Sequence, residues 1–263
     1  MNAESLLQQG DLSGCKEQLF SEIRKDPSNI DLRIFLFQLA CVTCDWERAK
    51  NQLGVLKEMS DATLAMVNTY EQLIDCEQKR IAVLSGEQEP TCFGEPSEWL
   101  AYYVNAYQQF TKNNIAQSFD LIKQGSDKAP EISGTINDSE EFAWLSDGDV
   151  RFGPSFEIML NGGYYRLPFE YIAEINFEPI EDLRDVVWRP ANLTLKNNGQ
   201  LIVFMPMRYP IHANTTDEQF LAKACDWQEP EENFYVGNGQ KLLISDTAEF
   251  PLMNIKRIKS NHQ

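Results

Sequence analysis

Histidine is scarce in this sequence, which has two in 263 residues. They are His212 and His262, although histidine is the commonest general base and metal ligand in proteins. The sequence also has no P-loop, no GxGxxG nucleotide-binding fingerprint, no nucleophile elbow and no HExxH zinc motif. These absences argue against an enzyme, and we expect no catalytic, cofactor-binding or metal-binding residues.

Basic residues are also few, with 23 Lys and Arg against 40 Asp and Glu, a net charge of −17 and a pI near 4.5. Acidic residues outnumber basic ones in both halves of the chain, so the charge belongs to folded surface and not to a tail. A field of this sign repels phosphate backbones and anionic lipid. We therefore expect no nucleic acid and no membrane as partner, and we expect attraction to basic protein segments.

Long apolar runs are missing. The longest, around Ile34 to Val42, is interrupted by Gln38 and is far shorter than the roughly 20 residues needed to span a bilayer. The first residues lack the basic region and apolar run of a secretion signal. Six cysteines without a framework pattern are typical of reduced thiols in the cytosol. We predict a cytoplasmic protein.

Cys41 and Cys44 form a single CxxC motif. A redox dithiol of the thioredoxin type would follow a strand, whereas this pair ends a segment with helical periodicity. A zinc site would need two further ligands, and the sequence has no second CxxC. We therefore interpret both as packing cysteines.

The first half of the chain is predicted to be helical, because apolar residues recur there at three- and four-residue spacing. Gly10-Asp11-Leu12 and Cys44-Asp45-Trp46 lie 34 positions apart, and Asn114-Ile115 repeats the pattern at about twice that period. Thirty-four residues is the tetratricopeptide period. We predict a tetratricopeptide-like helical domain over residues 1–129, with a non-repeating helical bundle as the alternative.

The periodicity changes to two after a polar segment at residues 130–141, which is predicted to be a linker. Asn161-Gly162-Gly163, Asn197-Asn198-Gly199 and Gly237-Asn238-Gly239 are predicted hairpin turns. One short helix is predicted from Asp217 to Ala224. The fold class is therefore α+β, with a mainly antiparallel β domain over residues 142–263.

Three carboxylates lie close together in the second half: Asp147, Asp149 and Glu157. They suggest a metal site or acid–base chemistry. However, the spacing of an EF-hand is absent and Arg151 is placed to neutralise one of the acids. A salt-bridged turn between two strands is the simpler interpretation.

Two Arg-containing pairs and two tryptophans are further candidates. Arg184-Asp185 and Arg208-Tyr209 are each either an anchor for an anion or part of an internal ion pair. Trp144 and Trp188 are either exposed interface residues or core residues. The residues alone favour the internal role in every case.

Several segments of the second half together resemble the ImpE/TagJ accessory proteins of bacterial type VI secretion. The resemblance lies in five stretches between residues 142 and 241: Phe142 to Glu157 (FAWLSDGDVRFGPSFE), Tyr164 to Phe169 (YYRLPF), Leu183 to Ala191 (LRDVVWRPA), Pro206 to Pro210 (PMRYP) and Gly237 to Lys241 (GNGQK). The helical half has the expected length and repeat character. The resemblance implies a cytoplasmic accessory role without catalytic residues.

This resemblance gives the most specific functional expectation. It implies binding to the N-terminal region of the small sheath subunit and modulation of sheath handling or disassembly. The effect is either on the sheath itself or, indirectly, on recruitment of the AAA+ ATPase that disassembles it. Transferred to this chain, the signature defines a candidate functional surface, which consists of Trp144, Asp147, Asp149, Arg151, Glu157, Arg184, Asp185, Trp188, Arg208 and Tyr209. The alternatives are a generic tetratricopeptide scaffold that binds another peptide, and a metal-dependent enzyme that uses the Asp147, Asp149 and Glu157 carboxylates.

Overall fold

The computed structural model describes residues 2–95 and 97–261. Seven of the eight helices found in these residues precede the sheets, and the last is a single short turn. The helices are α1 (Ala3–Gln8), α2 (Leu12–Lys25), α3 (Ile30–Val42), α4 (Trp46–Met59), α5 (Leu64–Leu84), α6 (Glu98–Thr111), α7 (Ile115–Lys128) and α8 (Asp217–Phe220). The predicted α+β fold class is confirmed.

Three helix pairs are joined by the same turn, which is the structural form of the repeat. Gly10, Cys44 and Asn113 have positive φ angles of 81°, 56° and 62°, respectively. In each turn this residue donates its N–H to the carbonyl three positions back, and the next N–H reaches the carbonyl five positions back. That pair of bonds is a Schellman motif, which satisfies the carbonyls at a helix end. Antiparallel helix pairs closed in this way are typical of tetratricopeptide repeats.

Helix α3 is buried along its whole second half, from Leu36 to Val42. It packs between α2 and α4 and also against a 3₁₀ turn of the β half, Leu183–Val186. The sequence predicted such a sandwiched helix from its nearly uniform apolar character. One apolar core therefore continues from the helices into the β half through Met159, Tyr164, Val187 and Trp188.

In the residues described, up to 261, the β half has thirteen strands in three sheets. The largest has eight strands in the order β2-β1-β13-β6-β7-β8-β4-β5, and the paired neighbours are antiparallel. The others are β12-β11-β3 and β10-β9. The bounds are β1 (Gly134–Ile136), β2 (Glu140–Phe142), β3 (Leu145–Asp147), β4 (Ser155–Leu160), β5 (Gly163–Pro168), β6 (Ile172–Phe177), β7 (Trp188–Leu195), β8 (Gln200–Pro206), β9 (Cys225–Glu231), β10 (Phe234–Gly239), β11 (Leu242–Ser245), β12 (Glu249–Pro251) and β13 (Arg257–Ser260).

One predicted turn is a strand instead. Gly237-Asn238-Gly239 lies within β10, and Gly237 is opposite Trp227 of β9. A Cβ on Gly237 would lie 2.2 Å from the ring of Tyr209, so glycine is needed there for close approach and not for a turn. The other two predicted turns are confirmed, since Asn161 and Asn198 have positive φ angles of 48° and 65°.

The helix predicted from Asp217 to Ala224 is shorter than expected. It ends at Phe220, because Ala222 adopts a positive φ of 52° and the N–H of Lys223 turns back to the carbonyl of Glu218. Its N-cap is Thr216, whose side chain forms a capping box with Gln219.

The segment at residues 130–141 contains β1 and the first residues of β2, and β1 pairs with β13. The division into two domains at this segment stays a prediction. Within residues 2–95 and 97–261, no helix combines the length and apolarity needed to cross a membrane.

Candidate functional site

A network of buried charges joins helix α5 to the sheet. Glu77 and Arg80 lie on α5, and both are buried. Arg80 donates from Nε and Nη2 to the two oxygens of Glu157 on β4, at 2.7 and 3.1 Å, and from Nη1 to Glu77 at 2.9 Å. The guanidinium therefore bridges the carboxylate of Glu77 on the helix and that of Glu157 on the strand. Glu157 binds the edge formed by Nε and Nη2 in the bidentate geometry.

Lys241 continues the network on the β side. Its Nζ lies 2.8 Å from Asp147 Oδ2 and 3.1 Å from Glu157 Oε2. Two tyrosines complete the coordination of these carboxylates: Tyr164 donates to Glu157 at 2.7 Å and Tyr209 donates to Asp147 at 2.6 Å. Every member of this group is buried.

Asp149 and Arg151 form a second, adjoining pair. The Asp149 N–H donates to Asp147 Oδ1 at 2.9 Å, and Arg151 Nε donates to Asp149 Oδ1 at 2.8 Å. The remaining Asp149 oxygen also accepts the N–H of Gly237 at 3.0 Å. The Arg151 guanidinium stands 4.8 Å from the ring of Phe110 on α6, within cation–π range. The salt-bridged turn predicted at this position is present.

The network shifts the pKa values of its carboxyl groups in opposite directions. Burial by itself raises the pKa of Glu157, but the Arg80 and Lys241 charges outweigh it and hold that pKa well below the usual range. For Asp147, burial dominates and raises the pKa, since Lys241 offsets it only in part and the Asp149 charge adds to the increase. Glu157 is thus the anion around which the cations are organised.

Trp188 and Arg208 fasten the β half to the other helices. Trp188 donates from Nε1 to Glu77 Oε2 at 2.9 Å and stacks on Trp46 of α4 with ring centroids 5.5 Å apart. Arg208 donates from Nη1 to the carbonyl of Val42 at 2.7 Å, which lies at the end of α3. Neither residue is available as a surface anchor.

Arg184 and Asp185 do not pair with each other. Asp185 is buried and accepts the N–H groups of Glu181 and Asp182 at 3.0 and 2.9 Å, which caps the 3₁₀ turn. Arg184 is bound to Asp182, and its guanidinium lies 4.4 Å from the ring of Tyr70 on α5. Both residues therefore serve the contact between this turn and the helices.

The comparisons with known proteins agree with this architecture. The sequence profile of the ImpE protein family matches residues 139–259. Over 259 residues the chain is 37% identical to the type VI secretion system accessory component TagJ of Pseudomonas aeruginosa, which covers 98% of this chain and 90% of that protein. The chain belongs to the ImpE/TagJ family of type VI secretion accessory proteins. The resemblance predicted from the signature segments is confirmed.

A solved structure also resembles this ImpE-family chain. The crystal structure of protein VPA1032 from Vibrio parahaemolyticus matches with a TM-score of 0.88 and 23% sequence identity. The match covers 99% of this chain and 98% of that one. At that level of identity the likeness shows the fold alone, and it extends over the helices and the sheets together.

Most of the ImpE signature residues are interior residues. Eight of the ten candidates are buried: Asp147, Asp149, Arg151, Glu157, Asp185, Trp188, Arg208 and Tyr209. Arg184 is half-buried, and Trp144 is 37% exposed. These eight buried residues therefore do not form a solvent-facing surface. Their buried charges must instead pair with groups inside the protein. Whether these residues also serve function stays a prediction.

The carboxylate cluster of this ImpE-family protein is chemically saturated. A divalent metal at Asp147 and Glu157 would have to displace the Lys241 ammonium and the Arg80 guanidinium. Among the described residues, no three His, Cys, Asp or Glu side chains are gathered as a metal ion would require. Cys41 and Cys44 are free thiols, and burial raises the pKa of both. The arrangement holds two parts of the chain together and offers no open coordination position.

Sequence reasoning missed four members of the network: Glu77, Arg80, Tyr164 and Lys241. A signal existed for the first two, since both stand on α5, whose buried positions include Val67, Tyr70 and Ile74. Charges at buried helix positions require partners from another element. Lys241 is the last residue of one signature segment, but no local pattern links its charge to Asp147, 94 positions earlier, or to Glu157.

Proposed function

We propose that this ImpE-family chain is a non-catalytic cytoplasmic adaptor of type VI secretion that binds the N-terminal region of the small sheath subunit. Through the sheath it would act indirectly on the AAA+ ATPase. The observation that carries the proposal is the 37% identity over 98% of the chain to a protein named as a type VI secretion accessory component. The adaptor role, the sheath partner and the compartment are our inference from that relationship.

The helical half supports a peptide-binding role. Stacked helix pairs form grooves in which an amphipathic helix binds through apolar side chains at positions i, i+3, i+4 and i+7. A shallow groove of about 610 Å³ runs over α1 and α2 and is lined by Leu6 and Phe20 together with Glu17 and Gln18. Leu6 and Phe20 give the groove apolar contacts for such a helix, whereas its charged lining is balanced, because Arg24 lines it as well as Glu17.

The charge balance supports the same partner. A net charge of −17 accelerates the encounter with a basic segment, and salt screens this attraction. The buried apolar anchors would then set the rate of dissociation. The saturated carboxylate network gives no competing support to catalysis, because every carboxylate in it already has a cation or a donor.

The proposal is tested by titrating the full-length chain with a synthetic peptide of the sheath subunit's N-terminal region. We expect saturable binding that weakens as salt increases, and weaker binding when the apolar anchors of the peptide are replaced by Ser. Leu6→Glu should reduce affinity about tenfold or more, since it places a charge where an apolar anchor binds. Ile202→Glu, at a 69% exposed sheet position, is the matched control and should bind normally.

Two results separate the alternatives. If the full-length chain does not bind the peptide even at low salt, the sheath subunit is not the partner and a generic tetratricopeptide scaffold becomes the better description. If the peptide binds and Leu6→Glu has no effect while Ile202→Glu does, the partner stands but the groove on α1 and α2 is the wrong place.

A further inference from the structure

A cavity of about 450 Å³ lies where the helices meet the β half, beside the ionic network. It is enclosed by the start of α4, the end of α5, Val187 and the loop that follows β8. Its apolar lining consists of Trp46, Ile81, Leu84, Val187, Pro210 and Ile211. The volume and apolar character are those of a small-molecule pocket, which has few polar groups that fix the ligand.

Arg208 lines this cavity and differs from the two other arginines of the network. Arg80 and Arg151 each present the edge formed by Nε and Nη2 to both oxygens of one carboxylate. On Arg208 that edge has weak contacts, from Nη2 to the carbonyl of Cys41 at 3.5 Å and to Cys44 Sγ at 3.7 Å. No described residue accepts a hydrogen bond from its Nε.

The buried guanidinium of Arg208 is therefore held in place through Nη1, on the side away from Nε. Nη1 is saturated by the carbonyls of Val42 and Phe220, at 2.7 and 2.5 Å, which fix the orientation of the group. Within residues 2–95 and 97–261, no carboxylate forms an ion pair with it. A fixed guanidinium with an unfilled bidentate edge is complementary to a carboxylate.

His212 supplies a second unsatisfied group. It lines the same cavity, and its Nε2 is buried without a hydrogen-bond partner. A buried polar atom without a partner is costly, but this atom is closed off from the cavity as well as from bulk solvent. Glu77 also lines the cavity, but its oxygens are already bound to Arg80 and Trp188. The group left to bind a ligand is therefore the Arg208 guanidinium, which favours an anion.

We propose that this cavity binds a small amphiphilic carboxylate, which has an apolar aromatic or aliphatic body and one anionic group. The carboxylate binds along the Nε–Nη2 edge of Arg208. The apolar body packs on Trp46, Ile81 and Leu84. Because the cavity is walled by α4 and α5 on one side and by Val187 and the loop after β8 on the other, an occupant braces the helices against the β half.

The first experiment compares two ligands of the same shape on the full-length protein by isothermal titration calorimetry. 4-Phenylbutyrate carries the carboxylate, and 4-phenylbutanamide carries a neutral amide in its place. We expect 4-phenylbutyrate to bind with one molecule per chain and the amide to bind at least about tenfold more weakly, since charge-assisted bidentate bonds are the stronger ones. Absence of 4-phenylbutyrate binding, or equal affinity of the two ligands, would overturn the proposal.

The second experiment places a charge at the mouth of the cavity without disturbing the core. Ile81 is 46% exposed, so Ile81→Glu and Ile81→Lys should both fold and both remove the same apolar side chain. Ile81→Glu should weaken 4-phenylbutyrate binding about tenfold relative to Ile81→Lys, because only the first repels the carboxylate. Ile202→Glu should bind like the unaltered chain. Equal affinities of the two Ile81 variants, or an equal loss in Ile202→Glu, would contradict the assigned site.

Discussion

Two of the junctions between the helices and the β half have opposite chemistry. At the ionic junction, Arg80 of α5 pairs with Glu157 of the β half, and Glu157 also binds Lys241, in a buried network. At the aromatic junction, Phe110 of α6 stacks on Phe234 of β10, with centroids 5.7 Å apart and ring planes 8° apart. Phe119 of α7 meets the same ring edge-on at 5.6 Å.

The difference lies in how each junction depends on geometry. Apolar packing is non-directional, and side chains of similar volume substitute for one another at modest cost. A buried ion pair repays its desolvation only when distances and angles are right, and removal of one partner leaves a charge uncompensated. We infer that the aromatic junction supplies adhesion and the ionic junction fixes the one orientation in which α5 meets the sheet.

The largest effect should come from breaking the ionic junction. Arg80→Ala leaves Glu77 and Glu157 with less compensation and is expected to lower the free energy of unfolding by about 3–5 kcal/mol, measured by urea denaturation. The control is Arg257→Ala, which removes the partly exposed pair with Glu174 and should lower the free energy of unfolding far less than Arg80→Ala does. Similar losses in both variants would mean that burial does not distinguish the two ion pairs.

A smaller but pH-dependent effect is expected at Glu157. The Arg80 and Lys241 charges hold its folded-state pKa below the ordinary value of 4.5, so the ionised group stabilises the fold above pH 4.5. This contribution is lost as the pH falls through the folded-state pKa. Glu157→Gln should cost about 3 kcal/mol at pH 7. The free energies of unfolding of Glu157→Gln and the unaltered chain are measured by denaturation from pH 7 to pH 3. Their difference should shrink only below pH 4.5. A difference that stays constant would refute the lowered pKa of Glu157.

The aromatic junction should tolerate a conservative change. Phe234→Leu keeps an apolar side chain in the same position and is expected to cost about 1 kcal/mol. Arg80→Lys is the equivalent conservative change at the ionic junction, and it should cost more, because Lys cannot form the bidentate bonds to Glu157. If Phe234→Leu proves the more damaging of the two, the assigned roles of the junctions are reversed.

The smallest effect is expected at Trp144, the one exposed tryptophan of the ImpE signature, which is part of neither junction. Trp144→Ala should change the free energy of unfolding by within about 0.5 kcal/mol, as is usual for surface substitutions. The same variant should be titrated with the sheath-subunit peptide. Normal stability with reduced binding would identify Trp144 as a contact residue, and normal binding would remove it from the candidate surface.

The sequence predicted the helical repeat, the α+β class and the turn at Asp149 and Arg151, because these depend on local patterns. The spacing of apolar residues, and an ion pair between residues two positions apart such as Asp149 and Arg151, can be recognised directly in the sequence. The network could not be assembled in the same way. Arg80 and Glu157 are separated by 77 positions, and Lys241 and Asp147 by 94, so only the tertiary fold brings them together.

The misread glycine has the same origin. A Gly-Asn-Gly segment usually marks a hairpin turn. At Gly237, however, the space is taken by the ring of Tyr209 from another part of the chain. Eight of the ten residues of the predicted surface are buried for the same reason, because their partners lie on distant segments that a local pattern does not show.

The place of β13 in the large sheet has a consequence for how the protein is made. This strand, Arg257–Ser260, is the last described element of the chain, yet it lies between β1 and β6 in the interior of the sheet. Chains emerge from the ribosome starting at the N-terminus, and helical repeats built from local contacts fold early. The helices can therefore form during synthesis, whereas β1 and β2 must wait for β13 before they join β6. Until then the edges of β1 and β6 that β13 later covers stay unpaired, and unpaired edges can associate with other chains.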